Sequence, residues 1–153
     1  MAQPIDSSAA ARQSPATASA PTLVFVGTVE SSLREATSAP KQGDEGAPDA
    51  WLVFDGAFRD ALRDLRPGED VLVLTWLHRA DRDTLAVHPR DDGSRPLTGV
   101  FSTRSADRPN PIGLHRVRIL AADDLRLLVR GLEAIDGTPV LDVKPVLDAS
   151  RER

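Results

Sequence analysis

Gly99–Leu120 reads GVFSTRSADRPNPIGLHRVRIL. The second half of this stretch carries a strand pattern. Ile112 and Leu114 alternate with Gly113 and His115, and Val117 and Ile119 then alternate with Arg116 and Arg118. Alternation at period two marks a strand with one buried face. The two apolar sets differ in parity, which predicts a kink or bulge near His115. Short apolar runs bounded by turn residues recur on both sides: Thr22–Glu30, Trp51–Asp55, Val71–His78, Thr84–His88, Leu97–Thr103, Leu125–Leu132 and Val140–Val143. Val71–His78 (VLVLTWLH) is nearly continuous in apolar residues, as a buried strand is. Gly27, inside the first run, marks a bulge or a close backbone approach. Gly56–Leu65 instead has helical spacing through Phe58, Leu62 and Leu65, and Pro67-Gly68 ends it. Many short strands with one helix predict an antiparallel barrel or sandwich rather than a βαβ sheet.

The flanks of this region differ in composition. Residues 1–21 are built from Ala, Ser, Pro and Gln, with little to bury, and are expected to form a disordered tail. The ordered domain is expected over 22–147, with a short tail at 148–153. Residues 36–50 (ATSAPKQGDEGAPDA) fall between two strand runs and read as a long loop, a kind that is uncommon in compact domains and often functional. The whole chain of 153 residues suits one domain. It holds 41% hydrophobic and 27% charged residues, enough for a globular core.

Several function classes are excluded. There is no cysteine, hence no disulfide framework, no thiolate metal site and no thiol nucleophile. Tyrosine is absent, so no phenol does acid–base work. No run approaches about 18 apolar residues, and no secretory h-region follows Arg12, so no membrane partner is expected and a cytoplasmic location is. His78, His88 and His115 lack close ligand spacing, so no metal site is expected. No G-x-G-x-x-G, Walker A or H-E-x-x-H occurs. The net charge of −4 excludes a uniformly basic nucleic-acid coat. Locally the balance reverses: between Gly93 and Leu120 lie Arg95, Arg104, Arg108, Arg116 and Arg118 against the single acid Asp107. Guanidinium forks suit carboxylates and phosphates, although a solvated basic strand pair would have the same composition. In Arg108-Pro109-Asn110-Pro111 the prolines fix φ on both sides of Asn110 and present a guanidinium and an amide at set angles. A plain turn also favours these residue types.

The run S-T-R-S-x-D-R-P-N-P-I-G-L, residues 102–114, resembles the signature of the TsaA-like domain of the TrmO family. Phe25-Val26-Gly27-Thr28-Val29 with Ser31 resembles that family's opening strand, and Pro40-Lys41-Gln42 its Pro-Arg-Gln loop. Trp76-Leu77-His78 resembles its apolar strand ending in His, and Asp136–Pro145 (DGTPVLDVKP) its closing motif. The resemblance covers about 22–147, in family order. It implies a small antiparallel β-barrel with one or two short helices, usually dimeric, that binds S-adenosylmethionine without a Rossmann fold. It also implies methyl transfer to N6 of threonylcarbamoyladenosine beside the anticodon of tRNA. The cofactor contacts it implies are Pro40, Lys41, Gln42, His78, Arg79, Arg104, Leu114, Ala134, Ile135, Asp136 and Gly137.

Those side chains make chemical sense in such roles. Arg104 or Lys41 can pair a carboxylate, though Lys41 lacks the fork of the family's arginine. Leu114 and Ile135 can flank an adenine. Asp136 can accept from an amine or ribose hydroxyls, and Asp136-Gly137 also reads as a hairpin turn. Substrate contacts are expected from Arg108, Asn110, Arg116 and Arg118. Asp107, Asp136, His78 and solvent are alternatives for a base. The chain ends soon after Lys144-Pro145, so the C-terminal domain of longer TrmO proteins is expected to be missing. Two other readings stand beside tRNA methylation: the same barrel acting on a small molecule, and a non-catalytic module that binds the cofactor or RNA.

Overall fold

The computed structural model of the chain describes residues 19–148. The tails expected at 1–21 and 148–153 lie outside it, apart from residues 19–21 and 148. The described residues form eight strands: β1 (Gly27–Glu30), β2 (Ala50–Phe54), β3 (Asp70–Trp76), β4 (Ala86–Val87), β5 (Thr98–Gly99), β6 (Ile112–Asp123), β7 (Arg126–Arg130) and β8 (Pro139–Pro145). Six of them close into a barrel in the order β1-β2-β7-β6-β3-β8, with β1 and β8 as neighbours at the seam. Every pairing is antiparallel. The choice between barrel and sandwich therefore falls to the barrel. β4 and β5 form a separate two-stranded ribbon.

Inward-facing Val29, Leu52, Val71, Val73, Val117, Ile119, Leu127, Val129 and Val140 fill the interior and are all essentially inaccessible. Truncating one of them, such as Leu52→Ala, would cost about 2–5 kcal/mol through lost transfer energy and the cavity left behind. Gly27 is indeed a close approach: a Cβ there would stand 2.6 Å from the carbonyl oxygen of Val53.

Several sequence expectations are corrected. β6 pairs with β3 without a break from Trp76↔Ile112 to Asp70↔Arg118, so there is no kink near His115. The register shift lies further on, between Ile119 and Ala121 against β7. The parity puzzle resolves because Ile112 and Leu114 face outward, 43% and 45% exposed, while Gly113 and His115 face the interior. Gly113 leaves room for this, since a Cβ there would collide with Thr75 Oγ1 and the His115 ring. The first strand begins at Gly27 rather than Thr22, and Leu23, Val24 and Phe25 before it are exposed. The expected helix over Gly56–Leu65 is a 3₁₀ segment, Gly56–Leu62, capped by the Asp55 side chain accepting from Ala57 N at 2.8 Å. Leu97–Thr103 divides into β5 and a 3₁₀ turn, Val100–Ser102. β3 is buried on alternate residues only, so Leu72, Leu74 and Trp76 form an apolar outer face.

Candidate functional site

One end of the barrel opens into a cleft of about 770 Å³. The 36–42 part of the long loop forms one wall, the β3 exit at Leu77–Ala80 another, and the loop Ser102–Asp107 a third. The β4–β5 excursion contributes His88, Arg90, Asp91 and Arg95. The floor comes from His115 on β6 and from Glu133, Ala134, Ile135 and Thr138 on the β7–β8 connection.

Local chemistry fixes these walls. A Cβ at Gly43 would collide with the carbonyl oxygen of Gly131, so only glycine lets the long loop press against the barrel rim. Glu45 Oε2 accepts from the backbone N–H groups of Lys41 (3.2 Å) and Gln42 (3.3 Å), while Oε1 accepts from Arg90 at 3.0 Å. That guanidinium, with the two amides, holds the Glu45 carboxyl below its ordinary range. Lys41 Nζ pairs with Asp91 at 2.6 Å. Arg90 and Asp91 both adopt left-handed backbone, with φ of 60° and 57°, a conformation that costs non-glycine residues energy unless the surroundings hold it. Here both side chains are tied to the 41–45 segment.

Across the cleft, Arg108 donates to the carbonyl oxygens of Ser105 (2.7 Å), Thr103 (2.6 Å) and Val100 (3.0 Å) and so shapes the loop that carries Arg104. Arg104 itself makes no hydrogen bond or ion pair among the described residues. His78 sits at the β3 exit, and partial desolvation and the neighbouring Arg79 charge hold its imidazole below the ordinary histidine value. On the floor, His115 is 5% exposed. Its Nε2 meets Thr75 Oγ1 at 2.7 Å and its Nδ1 meets Glu133 Oε1 at 2.7 Å. Among the described residues, no group of three or more His, Asp or Glu side chains is placed to hold a metal ion.

A loop tied down by Glu45, a strand-end histidine, a loop carrying Arg104 and a turn at Asp136-Gly137, in this order along a closed barrel, can be matched to known proteins. Residues 28–150 match the family described as tRNA-methyltransferase O N-terminal domain. The chain belongs to that family. A "Probable S-adenosyl-L-methionine-binding protein" of Methanothermobacter thermautotrophicus is 42% identical over 120 residues, which covers 78% of this chain and 85% of that protein. Another protein so described, from Archaeoglobus fulgidus, is 42% identical over 120 residues, but the match spans only 32% of its length. A crystal structure of TrmO from Pseudomonas aeruginosa superposes with a TM-score of 0.68 at 29% identity, covering 88% of this chain and 59% of that one.

In this TrmO-family chain, Pro40, Lys41, Gln42, His78, Arg79, Arg104, Ala134 and Ile135 do line one cleft. Leu114, Asp136 and Gly137 do not. Leu114 points outward from β6 because its neighbours in register, not itself, fill the interior. Asp136 is turned away from the cleft: it accepts from Ser31 N at 2.9 Å and from Arg34 Nη1 at 2.8 Å, fixing the β1 exit. Gly137, at φ 80°, makes the tight turn into β8. Arg108, Asn110, Arg116 and Arg118 also stay outside the cleft. Arg116 and Arg118 both bond Asp70, at 3.0 and 2.8 Å, and hold its carboxyl below the usual range. The pair His115–Glu133 was not singled out as a site from the sequence. Its signal was the polar residue at an inward position, read there as a bulge.

Proposed function

We propose that this chain binds S-adenosylmethionine in the cleft and transfers its methyl group to N6 of threonylcarbamoyladenosine beside the tRNA anticodon, as a cytoplasmic homodimer. The observation that carries the reading is Arg104, a guanidinium lining the cleft with no partner among the described residues, while Lys41 is already held by Asp91. Such a fork pairs a carboxylate through two hydrogen bonds. The other cleft residues fit the rest of the group: Ala134 and Ile135 are apolar and buried and would suit an adenine ring, and His78, biased toward its neutral form, would not repel a sulfonium. When bound, the cofactor supplies a methyl group on a good leaving group, so the protein mainly orients the acceptor and excludes water.

The outer face supports a dimer. Leu74 and Trp76 on β3 lie beside Leu114 and Ile112 on β6, forming an apolar strip on a sheet exterior. A second copy covering that strip would bury Leu114, which is 45% exposed here. Exposed Phe101, in the turn that follows β5, offers a ring on which a loop base could stack.

A second reading, the same chemistry on a small molecule, is favoured by the arginines outside the cleft. Arg108 is occupied by carbonyl groups, and Arg116 and Arg118 share Asp70. Calorimetry with S-adenosylmethionine should show saturable binding, and Arg104→Ala should weaken it at least about tenfold through a lost charge-assisted pair. Label from the cofactor should enter tRNA that carries threonylcarbamoyladenosine. If cofactor binds normally and that tRNA takes up no label, the RNA assignment falls. If the wild type does not bind the cofactor, the methyltransferase reading falls.

A further inference from the structure

Methylating a nitrogen that still carries hydrogen requires a place for the proton. The acids lining the cleft are Asp91, Asp107 and Glu133. Asp91 is neutralised by Lys41, and Asp107 Oδ1 accepts from the Asp81 amide at 2.8 Å. Glu133 shares with Asp107 the lack of a lysine or arginine partner among the described residues, and differs from both acids in its setting. Its carboxylate is 20% exposed and is held through Oε1 by a buried histidine. Its other oxygen lies 3.2 Å from where a Cβ at Gly43 would stand, just past the cleft-lining residues Pro40, Lys41 and Gln42. An ionised carboxylate only accepts, so His115 Nδ1 carries the hydrogen of that bond, and Nε2 is left to accept from the Thr75 hydroxyl. The three groups form one chain, Thr75–His115–Glu133, that fixes a single carboxylate orientation at the cleft floor.

We propose that Glu133 is the proton acceptor for the methyl acceptor nitrogen and that His115 is the residue that positions it. The proposal rests on the methyl-transfer reading above. The acceptor nitrogen forms a bond to the methyl carbon as the carbon–sulfur bond breaks and its electron pair leaves with sulfur. The proton on that nitrogen passes to Glu133 Oε2. Net charge is conserved: a sulfonium and a carboxylate become a thioether and a carboxylic acid.

Glu133→Gln keeps the shape and can still accept from His115 through its amide oxygen, but it cannot take a proton. Single-turnover transfer from S-adenosylmethionine to tRNA carrying threonylcarbamoyladenosine should fall by about 10²–10⁴, the usual contribution of a general base. Cofactor affinity by calorimetry should hold. His115→Ala should lower kcat while leaving KM for tRNA in place, and His115→Gln, whose amide can donate to Glu133, should recover part of the rate. In the wild-type protein without cofactor, nitrogen NMR should find the Nδ1–H tautomer of His115. An Nε2–H tautomer would overturn the positioning role. If the wild type transfers label and Glu133→Gln keeps the wild-type rate, or loses cofactor binding in step with activity, the proton-acceptor role is wrong. If the wild type binds cofactor and labels no tRNA, the reading beneath it is wrong, and the proposal falls with it.

Discussion

The guanidinium of Arg108 donates to the carbonyl oxygen of Thr103 at 2.6 Å, one residue before the cleft-lining Arg104. With its bonds to Val100 and Ser105, it ties three loop carbonyls to one side chain. Arg108→Lys keeps the charge and loses the fork. The expected result is a cofactor affinity weakened several-fold by a residue that does not line the cleft, together with a lower melting temperature. Calorimetry and a thermal melt check both. Unchanged affinity would mean that the loop holds its shape without this staple.

His78 gives a pH signature. Its folded value lies below the ordinary one of about 6.5, so the folded chain resists the proton that the unfolded chain accepts. Its contribution to stability is therefore intact above about 6.5 and is lost as pH falls through the folded value. Melting temperature measured from neutral pH downward should decline, and His78→Gln should make that decline shallower. A steeper decline in the variant would reverse the assigned sign.

Phe101 is 86% exposed beside the cleft wall. If it stacks on a base, Phe101→Ala should weaken tRNA binding by about 1–3 kcal/mol and leave cofactor binding alone. Filter binding at fixed salt measures this. Equal tRNA affinity in both proteins would favour the small-molecule reading.

Leu114 tests the strip on the barrel exterior. Leu114→Glu puts a charge into a face that a second copy would desolvate, and a buried unpaired charge is strongly unfavourable. Light scattering should shift from a two-chain species to a single chain, while the melting curve keeps its cooperative form because the side chain is not in the core. A wild type that is already a single chain would refute the dimer.

Much of this was readable in the sequence. Val117 and Ile119 alternate with Arg116 and Arg118 as a one-sided strand must, and the composition of residues 36–50 marked a long connection between two strands. The reading failed where a polar side chain is satisfied by partners remote in sequence. His115 faces inward because Thr75 and Glu133 await it, 40 and 18 residues away, and no local pattern records that. Asp136 is a second case. Its oxygens accept from Ser31 and Arg34, more than 100 residues earlier, and no local pattern records that it ties down the β1 exit. The apolar outer positions of β3 were visible as a continuous run, but a run of that kind does not distinguish burial in the fold from burial against another molecule.

β1 and β8 lie side by side at the seam, with Gly27 opposite Val140 and Thr28 opposite Pro139. β1 therefore starts beside the start of β8, and β8 runs on to Pro145 against β3. This ladder has the fewest paired residues of any in the ring, and Pro139 brings no N–H to it. Local opening should begin there. Amide exchange at Val26 and Val29, which donate to the carbonyl oxygens of Val140 and Thr138, should outpace exchange along the unbroken β3–β6 ladder.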